Sequence, residues 1–164
     1  MPSRRTFLTT FTASALVTLC IRSARAGDPI LTIESTTSPG APVIALDLAA
    51  LDRLPRTVVR TATPWTAGPH DFSGVLVADL FASLGLDPEA VRLVALNDYA
   101  VRSDVETLVS GGALLATRRD GEPMEITDKG PIFVVFPFDD RPELRTQNHH
   151  SRSVWQLARI EILP

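Results

Sequence analysis

Apolar and polar residues alternate along Ile30-Leu31-Thr32-Ile33-Glu34, a period of two that predicts a strand, and the cluster Thr36-Thr37-Ser38-Pro39-Gly40 breaks it. Asp47 is placed to cap a short helix whose Leu48, Leu51 and Leu54 share a face, and Pro55 stops that helix. Thr57-Val58-Val59-Arg60-Thr61 predicts the next strand, and Trp65 to Phe72 a loop. The period then changes. Leu76, Leu80 and Leu84, with Val77 and Phe81 beside them, make one apolar stripe at helical spacing, which predicts a core-facing helix from Gly74 to Leu84, capped by Ser73 and ended by Gly85.

Downstream, Val91 to Leu96 predicts a buried strand, and Ser103 with Glu106 forms a capping box for a short helix ending at Gly111-Gly112. Asp120-Gly121, between Ala113-Leu114-Leu115-Ala116-Thr117 and Pro123-Met124-Glu125-Ile126, is a hairpin signal. Pro131 to Phe136 predicts an apolar strand and Val154 to Leu163 a final one. The polar stretch between them, Pro137 to Ser153, has no clear period and predicts a long loop, a feature that usually serves a function. Many short strands with a few short helices, and no regular strand–helix alternation, predict an α+β fold.

The first residues follow a different rule. Ser3-Arg4-Arg5-Thr6-Phe7-Leu8, the apolar run from Phe7 to Ile21 and the small-residue site Ala24-Arg25-Ala26 occur in the order of a cleaved export signal of the twin-arginine type. The expectation is a signal peptide over 1–26, cut after Ala26, and one periplasmic domain over 27–164. The apolar run is too short for a spanning helix, and Leu19 before Cys20 fits poorly with lipid attachment, so no membrane anchor is expected.

That division changes the charge and the available chemistry. The whole chain carries −3, and the signal holds Arg4, Arg5, Arg22 and Arg25 with no acid, so the domain is more acidic still. An acidic surface argues against nucleic acid and for a small molecule or a protein as partner. Cys20 is the only cysteine, so the domain has no disulfide, thiolate nucleophile or thiolate metal ligand.

His149-His150 with His70 invites a metal reading, but adjacent histidines rarely point the same way, and a solvated loop is the simpler interpretation. Asp139-Asp140 with Glu143 reads first as surface ion pairing with the neighbouring arginines. No Gly-x-Ser-x-Gly elbow and no phosphate-cradling glycine loop is present. What remains is a set of planar and bidentate groups near element ends: Trp65, Asn97, Asp98, Tyr99, Arg141, Arg145, Arg152 and Trp155. Flat heteroaromatic rings are held by aromatic contacts and by an amide or carboxylate at the ring edge, and arginines suit phosphate or carboxylate. Trp155 by itself reads as core at the start of a strand, and Tyr99 as a packing residue at a strand end.

In order and spacing, several segments resemble the molybdopterin-binding domain of the sulfite oxidase family. Phe72-Ser73-Gly74-Val75-Leu76, with Asp79-Leu80, is similar to that family's "W-x-G-V-x-L-x-D-L-L" segment, and Asn97-Asp98-Tyr99 to its "D-G-Y". Asp120-Gly121-Glu122-Pro123-Met124 resembles its "N-G-E-x-L" hairpin, while Gly130-Pro131 and Val154-Trp155-Gln156-Leu157 resemble its "G-x-P" and "K-W-L". The resemblance spans about Leu51 to Leu163 and implies the sulfite-oxidase-type fold of short mixed strands.

The chemistry departs from the family. Its enzymes give molybdenum a cysteine thiolate from a strand end that corresponds here to Thr61-Ala62-Thr63-Pro64, and this chain also lacks the family's "G-N-R-R". A hydroxyl is a far poorer ligand for the metal than a thiolate. The sequence is closer to single-domain periplasmic members without the cysteine, some of which bind reduced pterins and report to membrane-bound regulators of cyclic-di-GMP. The resemblance then implies a pterin or molybdopterin as ligand and no catalytic residue. Trp65 would stack on the ring, Asn97 or Asp98 would bond its amide edge, and Tyr99 would close the pocket. Arg141 and Arg152 would face a pterin tail or a partner protein. Two alternatives stay open: a molybdopterin-dependent oxidoreductase with atypical metal coordination, and an interaction module whose pocket is vestigial.

Overall fold

The computed structural model describes residues 27–37 and 40–164, so the expected signal peptide, 1–26, lies outside the described residues. The architecture is α+β, mostly strands with a few short helices, arranged around two five-stranded sheets. In the first sheet β1 (Leu31–Ser35) lies between β2 (Ile44–Leu46) and the last strand, β10 (Leu157–Leu163). β1 and β10 run parallel, with Ile33 opposite Ile160. β5 (Ala90–Ala95) and β6 (Ala100–Asp104) complete it as an antiparallel hairpin on the far side of β10.

The second sheet orders β3 (Thr57–Ala62), β4 (Pro69–Leu76), β7 (Leu114–Arg119) and β8 (Glu122–Pro123), with β9 (Phe133–Val135) also paired to β7. The Asp120-Gly121 hairpin is present, with Arg119 opposite Glu122 and both turn residues at positive φ.

Alternation of side chains across these strands builds two cores. Leu31, Ile33, Leu93, Leu115, Val134, Leu157 and Ile160 belong to the larger, which also takes in Val77, Leu80 and Phe81 of α2 (Val77–Leu84). Phe72, Leu114, Ala116, Phe133 and Val135, the neighbours on the opposite faces of β4, β7 and β9, form a smaller one against which Trp65 packs. The site described below grows from this second core.

Local corrections to the sequence reading have physical causes. The helix expected from Gly74 begins at Val77, because Phe72 to Leu76 pair with β7 and leave Leu76 at the N-cap position with no side-chain bond. Ser73 instead accepts a hydrogen bond from Arg56 Nη2. The expected stop is correct: Gly85 closes α2 at φ 65°, in the left-handed region. Ser103 does not cap either. Asp104 takes the N-cap place of α3 (Val105–Ser110) without a side-chain bond, while the buried Ser103 hydroxyl donates to Asp104 O. The loop expected from Pro137 to Ser153 contains a 3₁₀ turn, Pro142–Leu144, and a six-residue helix, α4 (Gln147–Arg152). The strand expected from Val154 starts at Leu157, and β2 and β6 are additional strands.

Asp47 caps α1 (Leu48–Asp52) as expected, accepting from Ala50 N at 2.7 Å. At the other end of α1, Asp52 receives Arg118 Nη1 and Nη2 at 2.6 and 2.7 Å, which joins the helix to β7. The Arg118 hydrogen bonds hold the Asp52 carboxyl below its ordinary value. A carboxylate with a depressed folded pKa stabilises the fold above its unfolded pKa and loses that contribution as the pH falls through the folded value. Asp52→Asn is therefore expected to cost up to about 1 kcal/mol at neutral pH, measured by urea unfolding. The difference from the parent should shrink as the pH is lowered into the range where Asp52 is protonated.

Candidate functional site

The turn after β3 sets the first wall. Thr66 N donates to Thr63 O at 3.2 Å, Trp65 N to Thr63 Oγ1 at 3.3 Å, and the two threonine hydroxyls lie 2.9 Å apart, which holds Trp65 on a compact turn between β3 and β4. Its indole meets three rings edge-on: Phe133 of the small core at 6.2 Å, His150 of α4 at 6.0 Å and Trp155 at 5.6 Å with an interplanar angle of 82°. Edge-to-face contacts of this kind fix ring orientation as well as burying surface.

Between these rings, α4 and the β5–β6 turn lies a cleft of about 440 Å³. That is within the range of small-molecule sites. Trp65, Trp155 and Val154 supply apolar wall, and Asn97, Gln147 and His150 supply amide and imidazole groups. Tyr99 closes one side, its hydroxyl donating to Ser151 O at 2.9 Å and so tying the β5–β6 turn to α4. Asn97 Oδ1 accepts Tyr99 N at 3.1 Å, a bond that leaves the NH₂ end of the amide available as a donor. Lys129 Nζ sits 5.8 Å from the Trp155 ring centre, a cation held over an aromatic face at the rim.

Of the six residues singled out as a ligand set, three meet in this cleft: Trp65, Asn97 and Tyr99. Asp98 occupies the adjacent tight turn at φ 64°, its N–H bonded to Ala95 O, and does not line the cleft. Arg141 lies away from it, donating to Glu143 Oε1 and to Ser110 O. Arg152 donates through Nε to Ser103 Oγ at 2.7 Å and through Nη1 to Asn148, an arrangement that fastens α4 to β6. Both arginines are engaged by the protein itself.

Trp155, expected in the core, is 36% exposed on the cleft wall instead. Gln147, which the sequence left unassigned, and His150, read there as part of a solvated loop, also line the cleft; a six-residue polar helix carries no apolar period to announce it.

A second, smaller hollow of about 270 Å³ adjoins the first and shares His150 with it. Ala62, Thr63 and Pro64 line it from the β3 end, opposite Phe138, Asp139 and Arg145. Asp139 Oδ1 receives Arg145 Nη2 at 2.6 Å and Oδ2 receives Ala62 N at 2.8 Å, so this acid braces the end of β3. Were molybdenum bound here, as the resemblance implies, Thr61 and Thr63 would be the side chains offered in place of a thiolate. Thr61 Oγ1 donates to Ala62 O and accepts from Asp139 N, and Thr63 Oγ1 is committed within its turn. These hydroxyls do not fit a molybdenum ligand.

The two adjacent histidines diverge. His149 packs against Phe136 at 5.2 Å with Nδ1 3.0 Å from Thr146 Oγ1, while His150 lies between Phe138 and Trp65. Burial first, then the charges of Arg152 and Arg141, push the His149 pKa down, which favours the neutral ring. Among the described residues no cluster of three or more histidine, cysteine, aspartate or glutamate side chains is arranged to hold a metal ion.

No family model matches the chain, and no curated protein matches it.

Proposed function

We propose that the domain is a periplasmic pterin-binding protein with a sulfite-oxidase-type fold, non-catalytic and reporting its ligand to a membrane-bound signalling partner. The observation that carries this reading is the edge-to-face corner that Trp65 and Trp155 make, at 82°, in the wall of a cleft that Asn97, Gln147 and His150 also line. A flat bicyclic ring lying on the face of one tryptophan meets the edge of the other. The Asn97 NH₂ group suits the ring carbonyl, and Gln147 offers both a donor and an acceptor to an amide-like edge. Thr61, bonded to Ala62 O and Asp139 N, and Thr63, committed within its turn, support a ligand without protein-bound molybdenum.

The rim supports a partner that senses occupancy. Leu96, Tyr99, Ile126 and Trp155 are exposed apolar residues. Backbone bonding of Leu96 to Gln156 O, and of the Gln156 side chain to Ile126 O, joins this rim beside Trp155. A protein docked there would touch both the cleft mouth and the exposed edge of a bound ring.

The small-molecule and metal content of protein exported by its native host tests the reading. A pterin released on denaturation with no stoichiometric molybdenum is expected. Molybdenum at one per chain would instead favour an oxidoreductase with atypical coordination, and the absence of any ligand would favour an interaction module.

A further inference from the structure

His70, the second residue of β4, is bonded on both sides of its ring. Nδ1 lies 2.6 Å from Asp120 Oδ2, and Nε2 lies 3.1 Å from Ala67 O. A carboxylate and a carbonyl are both acceptors, and a neutral imidazole has one N–H to give. Only the imidazolium satisfies both partners. Asp120 is fixed in the β7–β8 hairpin, where its Oδ1 accepts Asp71 N at 3.0 Å, and this backbone bond, followed by His70, holds its carboxyl below the ordinary value. Ala67 belongs to the Trp65 turn. Apart from its internal Thr63 and Thr66 bonds, that turn is tied to β4 and the hairpin through the Ala67 carbonyl.

We propose that His70 is a positioning residue for the cleft: as an imidazolium it fastens the Trp65 turn to the β7–β8 hairpin, and on losing its proton it releases Ala67 and loosens Trp65. The neutral ring keeps Nδ1–H on Asp120 and turns the Nε2 lone pair toward Ala67 O, so an attraction becomes a repulsion. The charged groups around it are Asp120; Asp71 beside it, paired with Arg60 of β3 at 2.9 Å; and Arg119 of β7, which pairs with Asp128 and acts on Asp120. Thr61, opposite His70 in the β3–β4 register, is uncharged. The clasp is therefore present while Asp120 is ionised and His70 protonated, and it is lost as the pH rises through deprotonation of His70. The consequence for ligand affinity rests on the pterin-binding reading; the clasp itself does not.

The test follows imidazole nitrogens and tryptophan indole N–H signals by NMR in the ligand-free protein from about pH 5 to 8, the range in which histidine changes charge. Both His70 nitrogens should be protonated at the low end, and the Trp65 indole signal should move with the His70 titration. His70→Asn keeps a donor toward Asp120 and should abolish that component, whereas any influence of His150, 6.0 Å from Trp65, is common to both proteins and cancels in the comparison. Asp120→Asn, a second route to the same clasp, should diminish the Trp65 response. A His70 ring neutral throughout, or a Trp65 response identical in parent and both variants, would overturn the proposal. With a reduced pterin as probe, affinity should fall several-fold over this range in the parent and less than twofold in His70→Asn; no binding at any pH would reject the pterin reading and leave the NMR result to decide the clasp.

Discussion

Trp65→Ala is expected to weaken binding of a reduced pterin at least tenfold. The substitution removes the ring that faces the cleft and its edge contacts to Phe133, His150 and Trp155. Aromatic contacts are each worth about 1 kcal/mol, and the tenfold loss corresponds to about 1.4 kcal/mol. Because Trp65 also packs on the smaller core, some stability is lost with it. Trp65→Phe separates the effects, since it preserves a flat ring against Phe133 and should retain affinity within about threefold, a change of less than about 0.7 kcal/mol. Isothermal titration of both variants, with urea unfolding as the control for folding, makes the comparison. Undiminished affinity in folded Trp65→Ala would place the ligand elsewhere.

Gly74→Ala is expected to cost about 3 kcal/mol or more of stability, measured by urea unfolding. A Cβ at position 74 would lie 1.9 Å from Leu115 O, 2.8 Å from Leu115 C and 2.9 Å from Ala116 Cα. These are backbone atoms of β7, so relief requires separating β4 from β7, the pairing that supports Phe72 and the small core beneath Trp65. Gly85→Ala meets no atom within 4 Å and suffers only from its φ of 65°, which should cost about 1 kcal/mol. Equal losses in the two variants would contradict the packing argument.

Gly74 also shows where local sequence signals stop short. Gly74-Val75-Leu76 continues the apolar stripe of α2 and reads equally well as its first turn; long-range pairing with Leu114–Ala116 makes it strand. Signals that act within a few residues were legible: the Asp47 cap, the Gly85 stop and the Asp120-Gly121 turn each depend on local backbone geometry. Mostly short strands with few helices could be read from the same punctuation.

The site divides along the same line. Trp65, Asn97 and Tyr99 stand at element ends and converge because β3, β5 and β6 end on the same cleft. Arg141 and Arg152 carry suitable charge for a ligand, but Ser110 O and Ser103 Oγ, remote in sequence, take their donors. The same long-range register is what turns His150 and Gln147 inward from a helix whose six residues, QNHHSR, show no amphipathic period. Their role depends on which way α4 is fastened, by Tyr99 to Ser151 at one point and Arg152 to Ser103 at another.

The most direct measurement is calorimetric titration of the metal-free domain, residues 27–164, with a tetrahydropterin under reducing conditions. The account predicts saturable binding at one site per chain without added molybdenum, lost or strongly weakened in Trp65→Ala. Absence of binding to the folded domain, or binding that requires molybdenum, would contradict it.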